Sequence, residues 1–256
     1  MAKIKRLKMI YAGRLTLGLV YIPPRPRDKE HIRQARQRTS SAGRKALNLK
    51  ASCRRLELLL AANFEKGDAV ITLTYDQQNL PPNKKEAVKR VKKLLARLRQ
   101  SKKAQGQTLR YIYVTEGAHS GGRLHHHLVL GGGQQDLQLL QSLWPYGSHL
   151  HVESLETYGG YEPLAMYLTK EPREQGRPKP GERMWSASRN LTKPRETNQW
   201  MDEAATLTPP PGAIVLDSSS KRNEFGEFLY LKYLTQEPKP RKTRPPKGKK
   251  AKPFYF

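Results

Sequence analysis

At 256 residues the chain is long enough for one sizeable domain with extensions, and its 48 Lys and Arg against 22 Asp and Glu residues give a formal net charge of +26. So large an excess favours a polyanionic partner, most simply a nucleic acid, although charge alone does not separate DNA from an acidic membrane surface or a ribosome. The apolar runs are too short to span a membrane, no signal-peptide core is visible, and a single cysteine, Cys53, excludes an intramolecular disulfide, so we expect a cytoplasmic protein without a membrane partner.

The first 64 residues are predicted to form a basic, partly helical extension. A short run of alternating apolar residues and a proline-rich connector precede the helical part. From Leu47 to Ala62 the apolar residues lie on one side of the helix, and another side carries three basic residues, Lys50, Arg54 and Arg55. We expect this basic face to contact DNA, although a solvated charged face is at least as common.

Residues 65–195 contain a regular succession of predicted elements. Apolar alternation predicts strands, and apolar residues at i, i+3 and i+4 predict helices. In chain order these are a strand at 69–75, a helix at 84–98, strands at 109–116 and 124–130, a helix at 136–143, a strand at 149–154 and a helix at 163–170. The order predicts an α+β fold with a ferredoxin-like, split βαβ core, in which a central antiparallel sheet has its helices on one face.

The remainder of the chain is less regular. Residues 196–235 are expected to form a C-terminal extension packed on the core, with a further strand at Phe228–Leu234. Residues 236–256 are dominated by Lys, Arg and Pro, a composition typical of a basic disordered tail. No phosphate-binding G-x-x-x-x-G-K-[ST] sequence is present, so no helicase motor of that kind is predicted.

Three consecutive histidines lie in the strand predicted at 124–130. Side chains alternate between the two faces of a strand, so His125 and His127 share one face and His126 points the opposite way. Two imidazoles on one face are a ready pair of metal ligands, although an isolated His-x-His is more often a chance polar pair. Because His126 faces away, we expect its substitution to be milder than that of its neighbours.

A third metal ligand is expected from the preceding strand. Glu116 ends that strand, and an antiparallel pairing can bring its carboxylate beside the two imidazoles. His119, in the glycine-rich turn, is the alternative. Two nitrogens and one oxygen leave positions open for phosphate oxygens and suit a divalent cation, Mg²⁺ or Mn²⁺.

A tyrosine and a lysine three residues apart follow in the helix predicted at 163–170. Tyr167 and Lys170 share a helix face, which makes them a candidate nucleophile and a candidate partner for a phosphate charge. Most tyrosines on amphipathic helices are structural, and spacing alone does not exclude the nearby Tyr158 and Tyr161.

A histidine pair followed by Tyr-x-x-Lys resembles the HUH endonucleases and, in this order, the single-tyrosine initiators of rolling-circle replication (Rep-type). The resemblance covers roughly residues 65–195. It implies a metal held by His125, His127 and a third ligand at about the position of Glu116, with Tyr167 attacking DNA to leave a 5′-phosphotyrosyl link and a free 3′-hydroxyl. It also implies single-stranded DNA at a replication origin as the substrate, and a host helicase and polymerase as partners.

Further DNA contacts are expected around this core. The stretch from Trp185 to Leu191 resembles one found after the tyrosine helix in some phage-like members, and Trp185 and Arg189 would suit stacking on unpaired bases. Arg123, two residues ahead of the histidines, is a further DNA-binding candidate.

Several alternatives stay open or fall on particular residues. A His-triad nucleotidyl hydrolase requires a third alternating histidine, and that position is Val129. Conjugative relaxases usually place the tyrosine ahead of the histidines, the reverse of this order. A single-tyrosine transposase shares the order, and a non-catalytic nucleic-acid-binding protein on the same scaffold remains the alternative from another functional class.

Overall fold

The structure, a computed structural model, describes residues 5–23, 42–117, 122–132, 136–171, 183–202, 206–223 and 226–236. This part of the chain holds ten strands and four helices. The strands are β1 Lys5–Ala12, β2 Leu15–Tyr21, β3 Ala69–Leu73, β4 Arg110–Glu116, β5 His125–Gly131, β6 Leu150–Ser154, β7 Ser186–Ala187, β8 Arg195–Met201, β9 Ile214–Asn223 and β10 Gly226–Leu234. The helices are α1 Ala42–Asn63, α2 Lys84–Ala104, α3 Asp136–Leu143 and α4 Glu162–Leu168. The proline-rich connector, His119 and all of the predicted tail except Gln236 lie outside the described residues.

The predicted α+β fold is confirmed, and β3 to β6 with α2, α3 and α4 follow the predicted order. These strands form an antiparallel sheet in the order β6-β3-β5-β4-β7, which we term the site sheet. The histidine strand β5 lies at its centre, paired with β3 on one side and β4 on the other. Strand β5 is therefore fixed by hydrogen bonds along both edges.

Helices cover both faces of the site sheet, whereas the sequence analysis placed them on one. Helices α2 and α3 share a face, and their buried side chains pack with Ile71, Tyr111 and Leu128. Helices α1 and α4 pack on the other face with Ile112, Val114 and Val129. The physical reason is that β3, β4 and β5 are apolar on both faces, so each face requires a covering layer.

The two ends of the described chain form a second five-stranded antiparallel sheet, in the order β8-β1-β2-β10-β9, which we term the terminal sheet. Its β1–β2 hairpin turns at Gly13, whose φ of +57° is readily adopted by glycine. A Cβ at Gly13 would lie 2.2 Å from the carbonyl oxygen of Ala61, so this turn packs directly on the backbone of α1. The N-terminal and C-terminal extensions thus contribute strands to one sheet.

The terminal sheet was not predicted beyond the strand at Phe228–Leu234, which the structure extends to Gly226–Leu234. Strands β8 and β9 are its edges and have sequences rich in polar and charged residues, RETNQWM and IVLDSSSKRN. Edge strands tolerate such sequences because much of their surface meets water. Apolar periodicity therefore gives little signal for them.

A buried charge cluster joins the terminal sheet to the helices below it. The ammonium of Lys232 in β10 lies 3.1 Å from Glu57 Oε1 of α1 and also pairs with Glu162 in the first turn of α4. The side chains of Lys232 and Glu57 are almost fully buried. Breaking such a pair leaves an uncompensated buried charge, so the cluster fixes the start of α4 against both α1 and β10.

No helix in the described ranges is both long enough and apolar enough to cross a membrane.

Candidate metal centre and tyrosine helix

Strand pairing brings the first two candidate ligands together. Glu116 at the end of β4 is directly opposite His125 at the start of β5, and Val114 is opposite His127. Directly paired residues of an antiparallel ladder point to the same face. Glu116, His125 and His127 therefore project together toward α4.

The three side chains form a compact group of possible metal ligands. His125 Nε2 and His127 Nε2 are 3.2 Å apart, and Glu116 Oε2 lies 3.6 and 3.5 Å from them respectively. Divalent ions bind nitrogen and oxygen ligands at about 2.1 Å, which puts neighbouring ligands of an octahedral site about 3.0 Å apart. The group could therefore hold a metal ion with only small adjustments of its side chains.

Outer hydrogen bonds present the Nε2 atoms of both histidines to this group. His125 Nδ1 donates to the carbonyl oxygen of Arg123 at 2.9 Å, because a carbonyl oxygen can only accept. His127 Nδ1 lies 3.1 Å from the hydroxyl oxygen of Thr72 in β3. Such contacts fix the ring orientation and leave Nε2 to face an ion, as second partners of metal-ligating histidines commonly do.

Glu116 is a buried carboxylate with unusual surroundings. Its side chain is only 2% exposed; Oε2 lies 3.4 Å from the ammonium of Lys170, and Oε1 has no hydrogen-bond partner among the described residues. Burial raises the pKa of Glu116, but polar contacts with His125 and His127 and the charge of Lys170 outweigh it and lower the pKa to about 2. A buried anion with an unpartnered oxygen fits a cation as its missing neighbour.

The turn after Glu116 requires glycine. Gly117 has a φ of +92°, and a Cβ there would lie 2.3 Å from the carbonyl oxygen of Arg123. Its N–H donates to the buried carboxylate of Glu171, 3.2 Å away, just after α4. The turn that carries Glu116 is therefore fastened to the end of the tyrosine helix.

Helix α4 brings Tyr167 and Lys170 to the ligand group. Ala165 and Leu168 are buried in the core shared with α1, which leaves Tyr167 44% exposed on the other side of the helix. Its ring meets that of His127 edge to face, with centroids 4.8 Å apart. The ammonium of Lys170 lies 4.4 Å from the centre of the same ring, so lysine contacts both the tyrosine and Glu116.

The two neighbouring tyrosines lie in different settings. Tyr161 is buried and its hydroxyl donates to the carbonyl oxygen of Phe64 at 2.7 Å. Tyr158 is 81% exposed, with the ammonium of Lys66 over its ring at 5.6 Å. Neither has a described contact with the ligand group, in contrast to Tyr167.

His126 points into the opposite face of the site sheet, as the alternation predicts. It is fully buried, and its two ring nitrogens hydrogen-bond to Tyr75 Oη at 2.7 Å and to Thr115 Oγ1 at 2.9 Å. Burial lowers its pKa to about 3. The ring also packs edge to face on Trp144, so His126 is a core residue of this face.

The residues predicted to bind DNA are dispersed. Lys50, Arg54 and Arg55 are exposed on α1, where the guanidinium of Arg54 lies 5.2 Å from the Tyr230 ring. Arg123 donates to the carbonyl oxygen of Tyr75 at 2.8 Å, next to the histidines. Trp185 and Arg189 flank β7 at the edge of the site sheet, Trp185 half-buried and Arg189 exposed. Their DNA contacts stay predictions.

One residue at the centre carries a role that the sequence analysis did not assign. Thr72 was noted only as part of an alternating strand, yet its hydroxyl contacts His127. The pairing of Thr72 with His127 joins residues 55 positions apart. Only the β3–β5 register reveals it, and no local pattern encodes that register.

Residues 68–172 match the model of a family described as replication-associated protein, of the ORF2 type. No curated protein and no solved structure matches the chain significantly. The matched range begins immediately before β3 and ends just after Glu171, so it contains the ligand group, Thr72, Tyr167 and Lys170. It leaves out every strand of the terminal sheet.

Proposed function

We propose that this protein is a metal-dependent endonuclease of the HUH type, which nicks and rejoins single-stranded DNA at a replication origin and thereby initiates rolling-circle replication. One observation carries the proposal: Tyr167 and Lys170 lie beside the group formed by Glu116, His125 and His127. The match to the family of replication-associated proteins supports the same role.

Glu116, His125 and His127 would hold a divalent cation, Mg²⁺ or Mn²⁺, through one carboxylate oxygen and two imidazole nitrogens. When bound, the ion supplies positive charge that polarises the scissile phosphate. The chain's contribution is preorganisation, since the hydrogen bonds from Arg123 O and Thr72 to the histidines hold the ligands before an ion arrives.

Tyr167 is the nucleophile in this proposal. Its phenolic oxygen forms a bond to the scissile phosphorus as the bond from phosphorus to the 3′ oxygen breaks. The phenolic proton passes through water to the departing 3′ oxygen, so the products are a 5′-phosphotyrosyl link and a 3′-hydroxyl. The phosphodiester energy is retained in the link, and attack by a 3′-hydroxyl on it reverses the step and rejoins the strand.

Two neighbours orient and assist the tyrosine. The edge-to-face contact with His127 restricts the Tyr167 ring, since aromatic pairs prefer this arrangement. The ammonium of Lys170 lies between the ring and Glu116, where it can neutralise negative charge that develops on the phosphate oxygens. Lys170 assists charge development and forms no bond to phosphorus.

The remaining partners follow from the products of the nick. The free 3′-hydroxyl is a primer for a host polymerase, and a host helicase would unwind the strand, since the sequence contains no P-loop motor motif. These partners and a cytoplasmic location are part of the proposal.

The proposal is tested with single-stranded oligonucleotides and a single-stranded circular DNA incubated with Mn²⁺. We expect a covalent protein–DNA adduct on a denaturing gel, and peptide mapping should place the DNA on Tyr167. Tyr167→Phe keeps the ring and its packing but removes the attacking oxygen, so the adduct should disappear while folding and Mn²⁺ binding persist. Tyr158→Phe, an exposed tyrosine nine residues earlier, is the matched control and should react normally.

Two outcomes would overturn the proposal. Nicking that persists in Tyr167→Phe would make water the nucleophile and the protein a hydrolytic nuclease. Binding of single-stranded DNA without cleavage, under conditions in which Mn²⁺ binding is demonstrated, would favour a non-catalytic nucleic-acid-binding protein.

A further inference from the structure

A groove of about 690 Å³ lies between the first half of α2 and the edge of the site sheet at β4 and β7. It is on the far side of β4 from β5, and its lining includes Thr115, the residue before Glu116. The groove is therefore a separate feature from the ligand group but reaches the same end of β4.

The groove has a one-sided charge. Five basic residues line it: Lys84, Lys85, Lys89, Lys92 and Arg183. None of the described residues that line it is acidic. The nearest compensation on α2 is Glu86, which pairs with Lys89 at 3.0 Å in an exposed ion pair, and such pairs contribute little. Like charges that converge on a concave surface repel each other, and a polyanion in the groove relieves this repulsion.

The positions of the lysines suit an extended chain of phosphates. Positions 84, 85, 89 and 92 fall on one face of α2, while Ala87, Val91, Leu94, Leu95 and Leu98 are buried against the sheet. The row from Lys84 to Lys92 spans about 12 Å of helix. That length faces two or more successive phosphates of one strand.

Aromatic side chains complete the groove. Tyr111 and Tyr113 line it as largely buried residues, and Trp185 is half-buried in the lining on the β7 side. A basic groove with an accessible aromatic ring is the combination by which proteins hold unpaired nucleic acid, since bases stack on the ring while cations follow the backbone. Duplex DNA keeps its bases stacked inside and makes no use of such a ring.

We propose that this groove binds single-stranded DNA next to the phosphate that is cut, with the backbone along the α2 lysines and a base on Trp185. The identity of the ligand as DNA rests on the proposed function, whereas the groove itself rests on its charge and shape. A strand that leaves the groove at Thr115 is one residue from Glu116 and therefore enters the ligand group.

The test measures binding of a fluorescent oligo(dT) to the full chain by anisotropy in the presence of EDTA, so that no metal chemistry contributes. One variant combines Lys84→Gln, Lys85→Gln and Lys92→Gln. Its matched control combines Lys93→Gln, Arg97→Gln and Lys103→Gln, which removes the same charge from exposed positions of α2 that do not line the groove.

We expect the groove variant to bind oligo(dT) at least about tenfold more weakly, with a log–log salt dependence reduced by about 2 for three lost phosphate contacts. The control should lose less than about threefold. Trp185→Ala should weaken binding to oligo(dT) roughly tenfold and leave binding to an abasic strand of equal length unchanged.

Equal losses in the groove and control variants would overturn the proposal, because binding would then follow net charge alone. An equal loss for duplex DNA would overturn the single-strand assignment. Failure of the groove is distinguishable from failure of the proposed function: normal adduct formation and binding in the groove variant would remove only the groove, whereas tight groove-dependent binding without any Mn²⁺-dependent adduct would remove only the nuclease.

Discussion

The two faces of strand β5 place the same amino acid in opposite roles. On one face His125 and His127 lie with Glu116 at a partly open group next to Tyr167. On the other face His126 is fully buried and both of its ring nitrogens are hydrogen-bonded. The contact with Glu116 raises the pKa of His125, whereas burial lowers the pKa of His126 to about 3.

The difference shows that environment, and not residue type, decides the chemistry of a histidine. A buried imidazole with two satisfied nitrogens has no free lone pair and contributes packing and hydrogen bonds. An imidazole whose Nδ1 is held and whose Nε2 faces a carboxylate is prepared for a cation. The following substitutions separate the two faces by measuring metal affinity and stability on the same samples.

The largest effect is expected on metal binding when a ligand is removed. His125→Ala should lower Mn²⁺ affinity at least about 100-fold, because loss of a direct ligand exceeds the 10- to 100-fold effect of its outer partners. The side chain of His125 is 26% exposed at the strand end, so the melting temperature should change little. Isothermal titration calorimetry and thermal unfolding check the two parts. Unchanged Mn²⁺ affinity would mean that the ligand group holds no metal.

His126→Ala should act on stability instead of metal binding. Removal of the buried ring leaves a cavity beside Trp144 and takes a partner from both Tyr75 and Thr115, at a cost of about 2–4 kcal/mol in the free energy of unfolding. The milder effect expected from the sequence therefore applies only to the chemistry. Denaturant titration measures the loss, and Mn²⁺ affinity of the folded fraction should stay within about threefold of wild type.

Two threonines offer a matched pair for the two faces. Thr72→Val removes the hydroxyl at His127 and should lower Mn²⁺ affinity about tenfold with little change in stability. Thr115→Val removes the hydroxyl at His126 and should cost about 1–2 kcal/mol of stability without changing Mn²⁺ affinity. The two variants have the same change of shape. If their effects were exchanged or equal, the division between the faces would fail.

The parts of this site that the sequence predicted are those determined within a strand or a hairpin. Alternation along β5 places His125 and His127 on one face, and the pairing of neighbouring strands brings Glu116 opposite His125. Helical spacing likewise places Tyr167 and Lys170 together. These relations need no knowledge of the rest of the fold.

The parts that were not predicted depend on which distant elements meet. The contact of Thr72 with His127 requires the β3–β5 register, and the burial of His126 requires α2 and α3 to cover that face. The terminal sheet joins strands from opposite ends of the chain, and its polar edges β8 and β9 show no apolar alternation. Long-range pairing of this kind has no local pattern.

The smallest effect is expected at Arg123, which contacts both faces through different atoms. Its carbonyl oxygen accepts from His125 Nδ1, while its guanidinium donates to the carbonyl oxygen of Tyr75. Arg123→Ala removes only the second contact, so stability should fall by about 1 kcal/mol or less and Mn²⁺ affinity should stay within about twofold. Calorimetry and denaturant unfolding again give both values. A tenfold loss of Mn²⁺ affinity would show that the guanidinium sets the position of the Arg123 carbonyl, and the two faces would then be coupled through this residue.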